Sequence, residues 1–91
     1  MRYKIELAYN GSNYAGWQIQ PNAPTVQEAV DRALSTIANT SIETMGCGRT
    51  DAGVHAKFFV AHFDGPDGLP SDLSHRLNKM LPGDIHIISV N

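Results

Sequence analysis

The sequence predicts an α+β fold: a ferredoxin-like β-α-β-β-α-β sandwich in which two helices cover one face of a four-stranded antiparallel sheet. Three observations lead there. Polar and apolar residues alternate near both chain ends and around residue 60, the period of a half-buried strand. Two intervening stretches repeat apolar residues every three or four positions, the period of an amphipathic helix. The length, 91 residues, suits a single domain, 1–91, with one modest core.

Tyr3, Ile5, Leu7 and Tyr9 alternate with Lys4, Glu6 and Ala8 and define the first strand. NGSNYAGWQIQPNAP follows, rich in Gly, Asn and Pro, and reads as a loop. Trp17 within it is expected to pack into the core. Thr25-Val26-Gln27-Glu28 has the form of a capping box, a threonine hydroxyl over a helix amide with a glutamate reaching back. The helix so opened carries Val26, Ala29, Val30, Ala33, Leu34 and Ile37 on one face and stops at 39–41. Ile42–Met45 is expected to form a short strand. Phe58–Phe63 forms a longer one, with Phe59, Ala61 and Phe63 on one side. After the turn DGPDGLP, Ser71 is expected to cap a second helix with Leu73, Leu77, Met80 and Leu81 inward, stopped by Pro82-Gly83. Ile85–Val90 is the last strand, with Ile85 and Ile87 on one face. Ile88 and Val90 then fall on the uncovered sheet face with Phe58 and Val60, an apolar patch that wants a partner.

Composition narrows the function classes. No apolar run reaches the ~18 residues of a membrane span, and MRYKIELAY alternates where a signal peptide would be continuously apolar. Cys47 is the only cysteine, which rules out an internal disulfide and fits a reducing cytoplasm. The net charge of −2 argues against a bulk electrostatic grip on nucleic acid, so any such role needs a local basic patch or a partner surface.

The chemistry concentrates in GCGRTDAGVHA, residues 46–56. Asp51 stands where a dinucleotide fingerprint needs its third glycine, and no Gly-Lys-Ser/Thr follows as in a phosphate loop. The aspartate spacing does not fit a calcium loop, and one cysteine with four scattered histidines gives no zinc pattern. What remains is Arg49 two residues before Asp51. A guanidinium keeps a neighbouring carboxylate ionised, and such a carboxylate can act as nucleophile or base toward a sugar carbon. A surface Arg–Asp pair in a strand connection is the plainer alternative. His55 is either an acid–base partner or a residue that orients the loop. Tyr14, Trp17 and Gln18 sit on the first loop, where aromatics either stack on bases or fill the core. Lys57, close to the motif, is placed to meet a phosphate. The fold itself raises a rival, the RNA-recognition domains of the same element order. Their third-strand pattern is poorly matched by Lys57-Phe58-Phe59-Val60-Ala61-His62-Phe63, which lacks the glycine.

Gly48-Arg49-Thr50-Asp51-Ala52-Gly53-Val54-His55-Ala56 resembles the signature of the TruA family of tRNA pseudouridine synthases. Three other segments are similar to that family in the same order: YNGSNYAGWQIQ at its first loop, TVQE at its first helix start, and LPGDI at the entry to its fourth strand. The resemblance implies conversion of uridine to pseudouridine at positions 38, 39 and 40 of the tRNA anticodon stem-loop. Asp51 is then the catalytic carboxylate, and Arg49 pairs with it and helps displace the base. Gly48, Thr50, His55 and Lys57 become RNA-contact residues. No metal, no small-molecule cofactor and no membrane are implied; the partners are tRNA and, in the full-length protein, a second copy. The residues suit the reaction. Breaking a glycosidic bond builds positive charge on the sugar, which a carboxylate stabilises. An isomerase that returns the same base adds no water, so one carboxylate suffices, whether it attacks C1′ or removes the 2′ proton. The base must leave its stack to be reached.

Two departures from the family stand out. Asn10 occupies a position where aspartate is common. The chain also corresponds to the N-terminal catalytic domain alone, without the C-terminal domain that supplies further RNA contacts and much of the dimer interface. The 91 residues are therefore expected to fold but to be inactive by themselves. The alternative function is a non-catalytic RNA-binding or dimerisation module of the same topology.

Overall fold

The N-terminal alternation produces β1, Arg2–Tyr9, whose Ile5, Leu7 and Tyr9 are buried. The computed structural model describes residues 1–48 and 52–91. A 3₁₀ turn at Gly11–Asn13 starts the first loop, and helix α1 runs over Val26–Ala38. Strand β2 is Met45–Gly46 and β3 is Ala56–Asp64. Helix α2 spans Leu73–Met80 and β4 spans Ile85–Val90. The sheet order is β2-β3-β1-β4 with every neighbouring pair antiparallel, the split arrangement the periodicities predict. Both helices pack on one face. Val26, Val30 and Leu34 of α1 and Leu73 and Leu77 of α2 share a core with Ile5, Leu7, Ala61, Phe63, Ile85 and Ile87. No helix among the described residues is long and apolar enough to cross a membrane.

The start of α1 realises one half of the capping box: Thr25 is extended, and its hydroxyl accepts from the Glu28 amide at 3.3 Å. Asn39 ends the helix in the left-handed region with φ 54°.

Four expectations need correction. Ile42–Met45 is not a strand; β2 is only Met45–Gly46. The hydrogen bonds a ladder would have used go to side chains of α1 instead. Ser35 Oγ accepts from the Ile42 amide at 2.8 Å, Asp31 Oδ1 from the Thr44 amide at 3.0 Å, and Gln27 Nε2 donates to the Thr44 carbonyl at 2.6 Å. Gln27, Asp31 and Ser35 are four residues apart and form one polar stripe along the helix. Second, the cap position of α2 is Asp72, not Ser71, and the Asp72 carboxylate accepts from Arg76 Nε at 2.9 Å in place of a backbone amide. Third, Met80 is 46% exposed, because Leu73, Leu77 and Leu81 already fill the inward positions. Fourth, Val90 does not share the open face with Ile88. The register against β1 slips between Glu6 and Leu7, so Ile88 is the extra residue of a bulge. Beyond it Ser89 faces Glu6, donating to Glu6 Oε1 at 2.8 Å, and Val90 pairs with Ile5 and packs against the core.

Asp31 is 8% exposed, and burial pushes its carboxyl from 3.8 up to about 6 despite the Thr44 hydrogen bonds, which pull the other way. Between those two values the folded chain holds a proton that the unfolded chain has released. This contribution to stability is complete below 3.8 and is lost as pH rises through about 6. Urea unfolding is therefore expected to show stability rising by about 1 kcal/mol from Asp31 as pH falls from about 7 to 5. Asp31→Asn, which keeps the acceptor oxygen, is expected to remove that increment.

Candidate functional site

The backbone on either side of residues 49–51 is held by other parts of the chain. On the N-terminal side, Gly46 lies against the indole of Trp17; a Cβ there would sit 2.4 Å from Trp17 Nε1 and 3.0 Å from Phe59 Cζ. Trp17 is 2% exposed and its ring lies 4.6 Å from that of Phe59, so the tryptophan packs as its sequence context predicts. Cys47 N–H donates to the Val60 carbonyl at 2.9 Å and prolongs the β2–β3 pairing by one bond. Gln27 joins the first loop to this side, accepting from the Ile19 amide at 2.9 Å while donating to Thr44.

On the C-terminal side, the first loop grips residues 52–55. The Gly11 amide donates to His55 Nδ1 at 2.9 Å, and the Gly53 amide donates to the Tyr14 carbonyl at 3.1 Å. A Cβ on Gly11 would fall 1.9 Å from the Val54 carbonyl oxygen, so only glycine allows this approach. Asn10 Oδ1 accepts from the Ser12 amide at 3.0 Å and caps the 3₁₀ turn. An amide oxygen serves there as a carboxylate oxygen would, which accounts for asparagine in that place.

LPGDI closes the arrangement. The Asp84 carbonyl accepts from the Asn10 amide at 2.8 Å, and its carboxylate accepts from Tyr14 Oη at 2.8 Å and from Asn13 Nδ2 at 3.5 Å. Burial, helped by the carboxylate, pushes the Tyr14 phenol up to about 12, so it stays a neutral donor. The four segments singled out in the sequence thus meet around one loop.

Two concavities adjoin it. One, of about 410 Å³, is lined by Trp17, Gln18, Gln27, Thr44, Met45, Gly46 and Gly48. The other, of about 440 Å³, lies at the end of the sheet on its uncovered face and is lined by Ala8, Asn10, His55, Lys57, Asp84 and His86 among others.

The chain is 55% identical over 89 residues to tRNA pseudouridine synthase A of Porphyromonas gingivalis, covering 94% of this chain and 35% of that protein. It is 53% identical over 90 residues to the protein of the same name from Bacteroides thetaiotaomicron, covering 98% and 34%. This chain is homologous to tRNA pseudouridine synthase A. A Limosilactobacillus fermentum protein of that name is 51% identical over 88 residues, covering 92% of this chain and 34% of its own length. The chain therefore spans about a third of the length of these curated relatives. No protein-family model matches it.

Of the residues assigned by resemblance to this synthase family, Arg49, Thr50 and Asp51 lie outside the described residues. Gly48 lines the first concavity, and His55 and Lys57 line the second. His55 has a structural part, since its Nδ1 anchors the first loop. The sequence names Tyr14 as a stacking or core aromatic and Gln27 as part of the capping box, but does not show the linking roles of Gln27, Asp31, Tyr14 and Asp84. The four-residue spacing of Gln27, Asp31 and Ser35 was a signal for the first two. Asp84 was seen only as part of a segment entering a strand.

Gly11→Ala is expected to cost at least about 2 kcal/mol in urea unfolding, because the new methyl overlaps a backbone carbonyl that cannot swing aside. Gly83→Ala serves as the control. A Cβ there meets nothing within 4 Å, and its effect is expected to stay within about 1 kcal/mol.

Proposed function

We propose that this chain carries the catalytic carboxylate of a tRNA uridine-to-pseudouridine isomerase, with Asp51 in that role. The observation that carries the reading is the identity of about half the residues with proteins named tRNA pseudouridine synthase A, across nearly all of this chain. The convergence of the first loop, the α1 start and LPGDI on the two flanks of residues 49–51 supports it, because a catalytic acid needs a fixed backbone. In the reaction the N1–C1′ bond of uridine breaks, the uracil turns, C5 bonds to C1′, and the C5 proton is lost as N1 gains one. The Asp51 carboxylate either adds to C1′ or takes the 2′ proton. Arg49 keeps it ionised and takes the space of the displaced base, while Gly48, Thr50, His55 and Lys57 contact the RNA. The same reading places the protein in the cytoplasm, acting on the anticodon stem-loop, and as a homodimer when full-length.

Pseudouridine formation on a tRNA transcript by the full-length protein is expected to fall to background with Asp51→Ala; retained activity would remove Asp51 from the mechanism. The 91 residues by themselves are expected to fold, as circular dichroism would report, and to turn over little or no tRNA. Robust turnover by the isolated chain would contradict the need for further RNA-contacting sequence.

A further inference from the structure

The geometry points to a seat for an RNA phosphodiester on the uncovered sheet face, over Ala8 and between Lys57 and His86, with an adjacent base stacked on Phe58. This rests on reading the chain as an RNA-modifying domain, and it adds Ala8, Phe58 and His86 to the RNA-contact residues named above. Ala8 pairs with His86 across β1 and β4. On its other side, the β1–β3 register passes from Leu7↔Phe59 to Tyr9↔Ala56, so Lys57 and Phe58 together oppose Ala8 in a bulge. A methyl group between two long flanking side chains makes the floor of a trough, and the concavity of about 440 Å³ is found there.

The groups around the trough suit a phosphate. Lys57 and His86 are exposed, and an ammonium with an imidazole supplies charge and donors. His55 also lines the trough. Because its Nδ1 accepts from Gly11, a neutral His55 carries its proton on Nε2 and offers a further donor. Asp84 contributes a carboxylate, but both its oxygens accept hydrogen bonds, from Tyr14 and Asn13. With a net charge of −2 the chain has no general attraction for RNA, so a phosphodiester is held where donors converge: here the Lys57 ammonium, whose charge Asp84 offsets, and the His55 and His86 imidazoles. Phe58 is 58% exposed beside it, and aromatic rings next to backbone-binding cations are how proteins hold unpaired nucleotides.

A second copy of the chain fits this face less well. The apolar residues Phe58, Val60 and Ile88 are interrupted along β1 by Lys4 and Glu6, whose charges lie 3.9 Å apart and which a dry interface would have to strip of water.

The test is fluorescence anisotropy of a labelled anticodon stem-loop RNA with the full chain, between about 50 and 200 mM salt. Lys57→Gln and His86→Gln are each expected to weaken binding about 3- to 10-fold, with Lys57→Gln reducing the salt slope by about one. Ala8→Leu leaves every charge in place and fills the floor; it is expected to weaken binding by about tenfold or more by excluding the phosphate. Phe58→Ala is expected to cost about tenfold with the slope unchanged. His75→Gln, on the exposed side of α2, is the matched control and is expected to have no effect. Circular dichroism confirms that each variant is folded. RNA affinity indifferent to both Ala8→Leu and Lys57→Gln overturns the seat, as does a dimer by sedimentation velocity that Phe58→Ala dissolves while RNA binding stays unchanged. A chain that binds no RNA at low salt also overturns it. The catalytic reading is judged separately, by pseudouridine formation with and without Asp51→Ala.

Discussion

The contact of the Gly11 backbone with the Val54 carbonyl is the constraint on which the site depends. Residues 52–55 have no regular structure of their own, and their position is set by a loop more than forty positions earlier in the chain. That loop is in turn held by Asp84, through the Asn10 amide and the Tyr14 hydroxyl. A hydrogen bond of this kind contributes only about 1 kcal/mol net. The value of the arrangement is geometric: two amides and one close van der Waals approach leave residues 52–55 a single place to lie. A side chain at Gly11 would remove the approach and with it the short reach from its amide to His55.

The opposite flank is fixed by a different device. Thr44 has its amide, hydroxyl and carbonyl all bound by side chains of α1. A strand in that place would have used backbone partners, which are less sensitive to substitution. Side-chain partners tie the segment to one helix face at one height, and so set where β2 begins and where the chain enters the motif. Burying the Asp31 carboxylate works against this, as its raised pKa records, and the bonds to Thr44 offset the cost only in part.

Much of this was legible in the sequence. The two periodicities fix β1, α1, β3, α2 and β4, because each element buries one face and the core admits no other pattern. The helix limits follow from Thr25 and Asn39. What was not legible depends on long-range partners. Ile42–Thr44 has the composition of a strand, and only the presence of Gln27, Asp31 and Ser35 opposite it shows why it is not one. The bulge at Ile88 has no composition signal; it reverses the facing of every residue after it, and so Val90 was placed on the wrong side. At the site, His55 left two roles open. The structure shows that its Nδ1 organises the loop, while Asp84, within LPGDI, and His86, which has no motif around it, come to the same groove at the start of β4.

The attachment of residues 52–55 has a consequence for motion. Among the described residues it is made by two backbone amides and the close Gly11–Val54 approach, outside the sheet ladder and the apolar core. Opening of this corner would leave the four strands paired, so its amides are expected to exchange with solvent ahead of those of the sheet.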